Sequence, residues 1–243
     1  MIPFLAALQF LTLSPPLVKR LFTQKELGQA AGFYPLVGAL IGSLLYAANY
    51  GLAMVTSDAL RAALLLALWV LLTGALHLDG LLDAFDGLLG GWTPEKRLEI
   101  MRDERVGAFG LSAGVILLLM KYAALSGFSQ SAPALILTPA VSRWGMSLAV
   151  YAFPYARPEG LGSAVKTHIT WKQIALATLT VLVTAWFCAG WMGMIALGGT
   201  LLLVWAISTF VLVRIPGLTG DIYGTINELV ELVLVIIFAI ILT

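Results

Sequence analysis

The stretch IALATLTVLVTAWFCAGWMGMIALGGTLLLVWAISTFVLV, residues 174–213, holds 40 consecutive positions without one Asp, Glu, Lys, Arg or His. A helix needs about 20 apolar residues to cross the roughly 30 Å of hydrocarbon in a bilayer, so the run is long enough to cross twice. Its natural turning point is Gly190-Trp191-Met192-Gly193, where two glycines and an interfacial tryptophan mark a short connection between antiparallel helices. The rest of the chain has the same character. Of 243 residues, 60% are hydrophobic and only 11% charged, and the mean hydropathy is +0.96, whereas ordinary soluble domains carry about 25% charged residues. Seven spans are expected, at residues 36–55, 59–76, 107–125, 134–153, 173–190, 192–213 and 222–242. Ahead of them, Phe4 to Leu13 stops at Pro15-Pro16 and is too short to cross, which suits an interfacial or re-entrant helix. With no leading basic region or small-residue cleavage site, it is expected to stay on the protein.

The expected fold is therefore all-α: a polytopic integral membrane helical bundle of about seven transmembrane helices, in one domain covering residues 1–243. Loop charges set its orientation, because cytoplasmic loops retain Lys and Arg. One side collects Lys19, Arg20, Lys25, Lys96, Arg97, Arg102, Arg105, Arg157, Lys166, Lys172 and Arg214, and the other holds only Arg61. The N-terminus and the three long polar loops are accordingly expected in the cytoplasm. A net charge of +1 provides no global field to attract nucleic acid, so a charged substrate must be recognised locally. The single cysteine, Cys188, sits in an apolar span as a small hydrophobe and excludes an intrachain disulfide.

Chemistry concentrates between His77 and Arg105, where seven of the chain's 13 acids fall within 29 residues: Asp79, Asp83, Asp86, Glu95, Glu99, Asp103 and Glu104. In HLDGLLDAFDG the aspartates are spaced by four and then three, so on a helix they share an arc of about 60°. Three like charges near lipid repel one another and need a cation. Oxygen-only ligands suit Mg²⁺ or Mn²⁺ rather than zinc. The alternative is a structural ion-pair cluster with Arg97, Arg102 and Arg105, and both remain open from the pattern. Thr93-Pro94-Glu95 opens a further helix, on which Glu99 and Asp103, four apart, would share a face and could complete a metal site. Arg102 and Arg105 beside them could hold phosphate oxygens.

In the loop YARPEGLGSAVK, Arg157 and Lys166 surround glycines that permit close approach of a ligand, and both could bind a diphosphate. The last span begins GLTGDIYGTINELVELV, with Asp221 and Glu228 on one face and Glu231 a turn beyond. Acids in a spanning helix point to function or to the bundle interior. Arg143, inside the fourth span, is a candidate partner or phosphate contact, whereas Lys121 is read as snorkelling to the interface. His77 is read as a hydrogen-bonded structural residue rather than a general base. The intramembrane charges also permit a transporter as the alternative function.

The blocks GALHLDGLLDAFDGLLGG, RLEIMRDERVGAFG, AVSRW, PYARPEGLGSAVK and GLTGDIYGTINELVEL, in this order and spacing, resemble the signature blocks of the cobalamin synthase family, and the resemblance covers nearly the whole chain. It implies a Mg²⁺-dependent phosphotransferase, with Mn²⁺ as an alternative ion. Such an enzyme joins adenosylcobinamide-GDP to alpha-ribazole or its 5'-phosphate, with release of GMP, late in cobalamin biosynthesis. The expected setting is the inner membrane with the active site facing the cytoplasm, where association with other enzymes of the pathway is a further expectation. Under this resemblance Asp79, Asp83 and Asp86 are the expected metal ligands. Glu99, Asp103 and Asp221 are further ligands or the base, and Arg102, Arg105, Arg143, Arg157, Lys166 and Glu228 are the expected substrate contacts.

Overall fold

A computed structural model describes residues 1–129 and 132–242. In chain order its helices are α1 (Ile2–Leu11), α2 (Gln24–Ala30), a 3-10 turn (Ala31–Phe33), α3 (Tyr34–Leu52), α4 (Asp58–Thr73), α5 (Leu76–Gly90), α6 (Pro94–Ile100), α7 (Ala108–Ser126), α8 (Ala134–Ala152), α9 (Leu161–His168), α10 (Trp171–Leu212) and α11 (Gly220–Leu242). The architecture is an all-α membrane bundle. Among the described residues, four helical stretches are long and apolar enough to cross a bilayer: Gln24–Leu52, Ala108–Ser126, Trp171–Leu212 and Gly220–Ile241. The bent pair α4 and α5 makes a fifth if counted as one broken span.

The 40-residue apolar run folds into α10, whose path breaks at Gly190 (φ 52°, ψ −129°), where a turn was expected. Beyond the break, Gly193 packs on the backbone of Ala185, too close for any side chain. Phe187, Leu202 and Trp205 point outward from α10 and are exposed, as a lipid-facing surface would be. At the centre lies α8, nearly every side chain of which is buried. Gly38 and Gly42, four apart on α3, fit against the backbone at Pro139 and Leu135 of α8, the small-residue contact by which membrane helices approach closely.

The first span is longer than its apolar core suggested. Thr23 and Glu26 form a reciprocal capping box, and the helix runs from there through the 3-10 turn into α3. The second span departs further from expectation. It ends at Thr73, and Gly74 (φ 60°) and Ala75 (φ 56°) both take left-handed conformations, so α5 leaves at 88° to α4. α6 opens at Thr93 as expected, its hydroxyl accepting from the Lys96 N–H, but it stops at Ile100. Asp103 therefore lies beyond the helix, and Glu99 and Asp103 do not share a helical face. The cause is local: the Arg105 backbone N–H and guanidinium both donate to the Asp103 carboxylate, which favours a tight turn over another helical turn.

Candidate active site

The site forms where α5 crosses α11. Gly80 lies against the backbone of Asp221, where an added Cβ would stand 3.0 Å from the Asp221 Cα, and Gly224 lies equally close to the His77 carbonyl. Two glycines thus let the helices approach, bringing Asp79 and Asp221 to one cavity of about 310 Å³. α11 begins at Thr219, whose hydroxyl accepts from the Ile222 N–H and donates to Asp221 at 3.1 Å. Arg157 comes from the loop before α9. That loop is tied to the start of α11 by two backbone hydrogen bonds of 2.8 Å, Ala156 N–H to Leu218 O and Leu218 N–H to Pro154 O. There is no room for a side chain at Gly217, which lies against Ala156 and Tyr155. The tether sets the Arg157 guanidinium 2.8 Å from Asp221, both largely buried.

The aspartate stripe is divided among different tasks. Asp79 is exposed and lines the cavity beside Asp221, Arg157, Glu159 and Tyr155. Asp83 is half-buried, and the charges acting on it are the carboxylates of Asp79, Asp221 and Asp86, opposed by Arg157. Asp86 is buried and caps α7, accepting from the Gly107 N–H at 2.7 Å and the Gly110 N–H at 2.9 Å. A side chain at either glycine would collide with that carboxylate. Anions are favoured at a helix N-terminus, so Asp86 has a structural partner that the sequence pattern did not disclose.

The remaining candidates separate into two groups. Glu99 and Asp103 are paired on the surface, with Lys96 at 2.8 Å and Arg105 at 2.7 Å. The Arg105 guanidinium holds the Asp103 carboxyl well below the usual carboxylate range. Arg102 is exposed. Lys166 donates to the Tyr151 carbonyl at 2.8 Å, and partial burial moves its pKa downward. Arg143 and Glu228 belong to an interior cluster instead. Arg143, fully buried, donates to Glu231, and Lys121 bridges Glu228 at 2.6 Å and Glu231 at 2.7 Å. Lys121 therefore does not snorkel. It is buried because two carboxylates on α11 hold it. His77 is buried too, but neither ring nitrogen has a hydrogen-bond partner, contrary to the expectation of a hydrogen-bonded structural residue.

Tyr155, in the candidate ligand loop, and Tyr223 are explained from sequence by packing and interfacial anchoring rather than as site residues. Their rings stack at 6.1 Å and 20°, and both line the cavity. Burial raises the Tyr155 hydroxyl above its ordinary value, so it stays protonated at neutral pH. The only available signal was position, since Tyr223 falls two residues after Asp221 and Tyr155 two before Arg157.

In kind, the carboxylates fit a hard divalent cation. Among the described residues, however, no three His, Cys, Asp or Glu side chains converge on one point. Mg²⁺ is usually held by one or two carboxylates together with substrate phosphates, and this donor set matches that pattern.

Fold and site together define a multi-pass membrane protein with an acid-rich cleft at the mouth of a cavity. Residues 3–239 match the family described as cobalamin-5-phosphate synthase, and the chain belongs to that family. Three relatives are named adenosylcobinamide-GDP ribazoletransferase. The protein of Desulforamulus reducens is 38% identical over 228 residues, covering 93% of this chain and 91% of the relative. That of Stutzerimonas stutzeri is 42% identical, covering 95% of each chain, and that of Pseudomonas aeruginosa 41%, covering 97% and 96%. No solved structure matches.

Proposed function

We propose that this chain transfers the adenosylcobinamide phosphate group from adenosylcobinamide-GDP to alpha-ribazole or its 5'-phosphate, releasing GMP, in the late nucleotide-loop assembly of cobalamin. Family membership and the names of the relatives support the reaction. The structural observation that carries it is the imbalance at the cavity mouth: Asp79, Glu159 and Asp221 line it with Asp83 close by, and the one guanidinium in that lining is Arg157. Such an excess of carboxylate is stable only with further positive charge, as a diphosphate substrate arriving with a divalent cation would provide.

In the reaction a ribose hydroxyl of the ribazole attacks the phosphorus attached to cobinamide. A new P–O bond forms, the P–O bond to the GMP phosphate breaks, and the hydroxyl proton passes to a carboxylate. Asp79 and Asp83 are suited to hold Mg²⁺ or Mn²⁺, which when bound would neutralise the diphosphate. Arg157 is suited to hold a phosphate oxygen, released from Asp221 as it does so. Asp221, thereby freed, is placed to accept the proton. Arg102 and Arg105, between α6 and α7, and Lys166, on α9, would draw the anionic substrate toward the cleft.

Seven crossings follow if the Gln24–Leu52 stretch, the α4–α5 pair, α7, α8, the two halves of α10 and α11 each cross once. The distribution of Lys and Arg supports an N-terminus and a cleft on the cytoplasmic side of the inner membrane. A transporter has no comparable support, because Lys121, Arg143, Glu228 and Glu231 bind one another. The test is GMP appearance from adenosylcobinamide-GDP and alpha-ribazole with the purified protein. Release that requires both substrates and Mg²⁺ is expected, and its absence under those conditions would refute the assignment.

A further inference from the structure

The cavity behind the cleft has two unlike ends. Its mouth carries Asp79, Arg157, Glu159 and Asp221, and its inner wall is apolar and aromatic. Two stacked ring pairs line it, Tyr155 with Tyr223 and Phe10 with Tyr34, the latter at 6.2 Å and 27°. Tyr223 and His77 belong to this lining and are 5% and 3% exposed, and among the described residues neither Tyr223 Oη nor either ring nitrogen of His77 has a hydrogen-bond partner. Buried polar atoms are rarely left unpaired, because doing so forfeits the hydration they gave up. The aromatic lining, with an unpartnered Tyr223 hydroxyl among its residues, points to a ligand that is flat and mostly apolar yet carries a hydrogen-bonding group.

Size narrows the choice. At about 310 Å³ the cavity lies at the lower limit for small-molecule sites. It admits a nucleoside but not a corrin macrocycle. Resting on the proposed transferase reaction, we infer that this cavity is the acceptor subsite and takes the ribazole base-first. The benzimidazole lies among the tyrosine and phenylalanine rings, and its unsubstituted ring nitrogen accepts from the Tyr223 hydroxyl. The ribose is then left at the mouth, with its hydroxyl beside Asp79 and Asp221. The bulkier adenosylcobinamide-GDP approaches from outside and presents only its diphosphate to Arg157. The aromatic wall thereby sets the specificity for the base.

The test is equilibrium binding of alpha-ribazole alone to the purified full chain in detergent, without the cobinamide substrate. Wild type binds. Tyr223→Phe removes a hydroxyl with no partner in the free protein, so folding is retained and affinity falls five- to tenfold. Ala30→Leu, which narrows the cavity, weakens ribazole by at least tenfold while the KM for adenosylcobinamide-GDP stays within twofold. Ribazole binding without GMP release would uphold the subsite and reject the proposed reaction. The subsite is overturned if wild type does not bind ribazole, if folded Tyr223→Phe binds it undiminished, or if the two KM values rise together.

Discussion

Two charged clusters lie on either side of His77, and they are built on opposite terms. In the interior, two cations, Lys121 and Arg143, meet two anions, Glu228 and Glu231, with Ser142 and Asn227 donating to Glu231 at 3.2 and 3.1 Å. In the cleft, Asp79, Asp83 and Asp221 gather about one guanidinium, that of Arg157. Burying a charge is tolerable when it is paired, so the balanced cluster joins α7, α8 and α11 and needs no outside partner. The unbalanced cluster sits at the mouth of a cavity, where a charged ligand can complete it. Charge balance, rather than the mere presence of charge in a membrane protein, therefore separates structural support from the working site.

The comparison is broken most severely by attacking the balanced cluster. Arg143→Met leaves Glu231 with Lys121 alone and Glu228 short of charge. It should cost about 3–5 kcal/mol, read as loss of folded protein in detergent melting curves. A protein melting like wild type would show that the interior cluster does not support the bundle. Within the stripe itself, Asp86→Asn should cost about 1–2 kcal/mol, since an amide offers one acceptor oxygen where Gly107 and Gly110 need two. Turnover per folded molecule should fall far less than for its neighbour Asp83, and an equal loss would place Asp86 among the working carboxylates. The smallest effect is expected for Glu99→Gln. Its partner Lys96 is exposed, so melting and turnover should both stay near wild type, as for most surface pairs. A large fall in turnover would return Glu99 to the site.

The spans were legible because lipid demands long apolar runs, and the break at Gly190 was legible because glycine and tryptophan mark a membrane edge. The 88° bend was not, since Ala75 carries no breaker signal and the apolar pattern continues through it. The aspartate stripe was legible as a stripe, but its division of labour was not. Asp86 is claimed by backbone N–H groups that a helical wheel does not represent. The partnership of Lys121 with Glu228 and Glu231 spans 107 and 110 residues of sequence, so no local pattern could distinguish it from snorkelling. Arg143 was visible as an intramembrane charge, yet only packing reveals that it serves Glu231. The end of α6 failed for a related reason, because an Asp-Arg turn competed with a helical periodicity that otherwise held.

The most direct test of the unbalanced cleft is Mg²⁺-dependent turnover of wild type against Asp83→Asn, with folding confirmed for both. Removing the Asp83 charge, which the neighbouring carboxylates repel, should leave the melting temperature unchanged or raise it, while GMP release falls by about a hundredfold or more, in the range of losses seen when a charge-stabilising group is removed. Turnover and Mg²⁺ dependence retained by a folded Asp83→Asn would contradict the account, moving the cation to other ligands and leaving the acidic stripe without the role assigned to it.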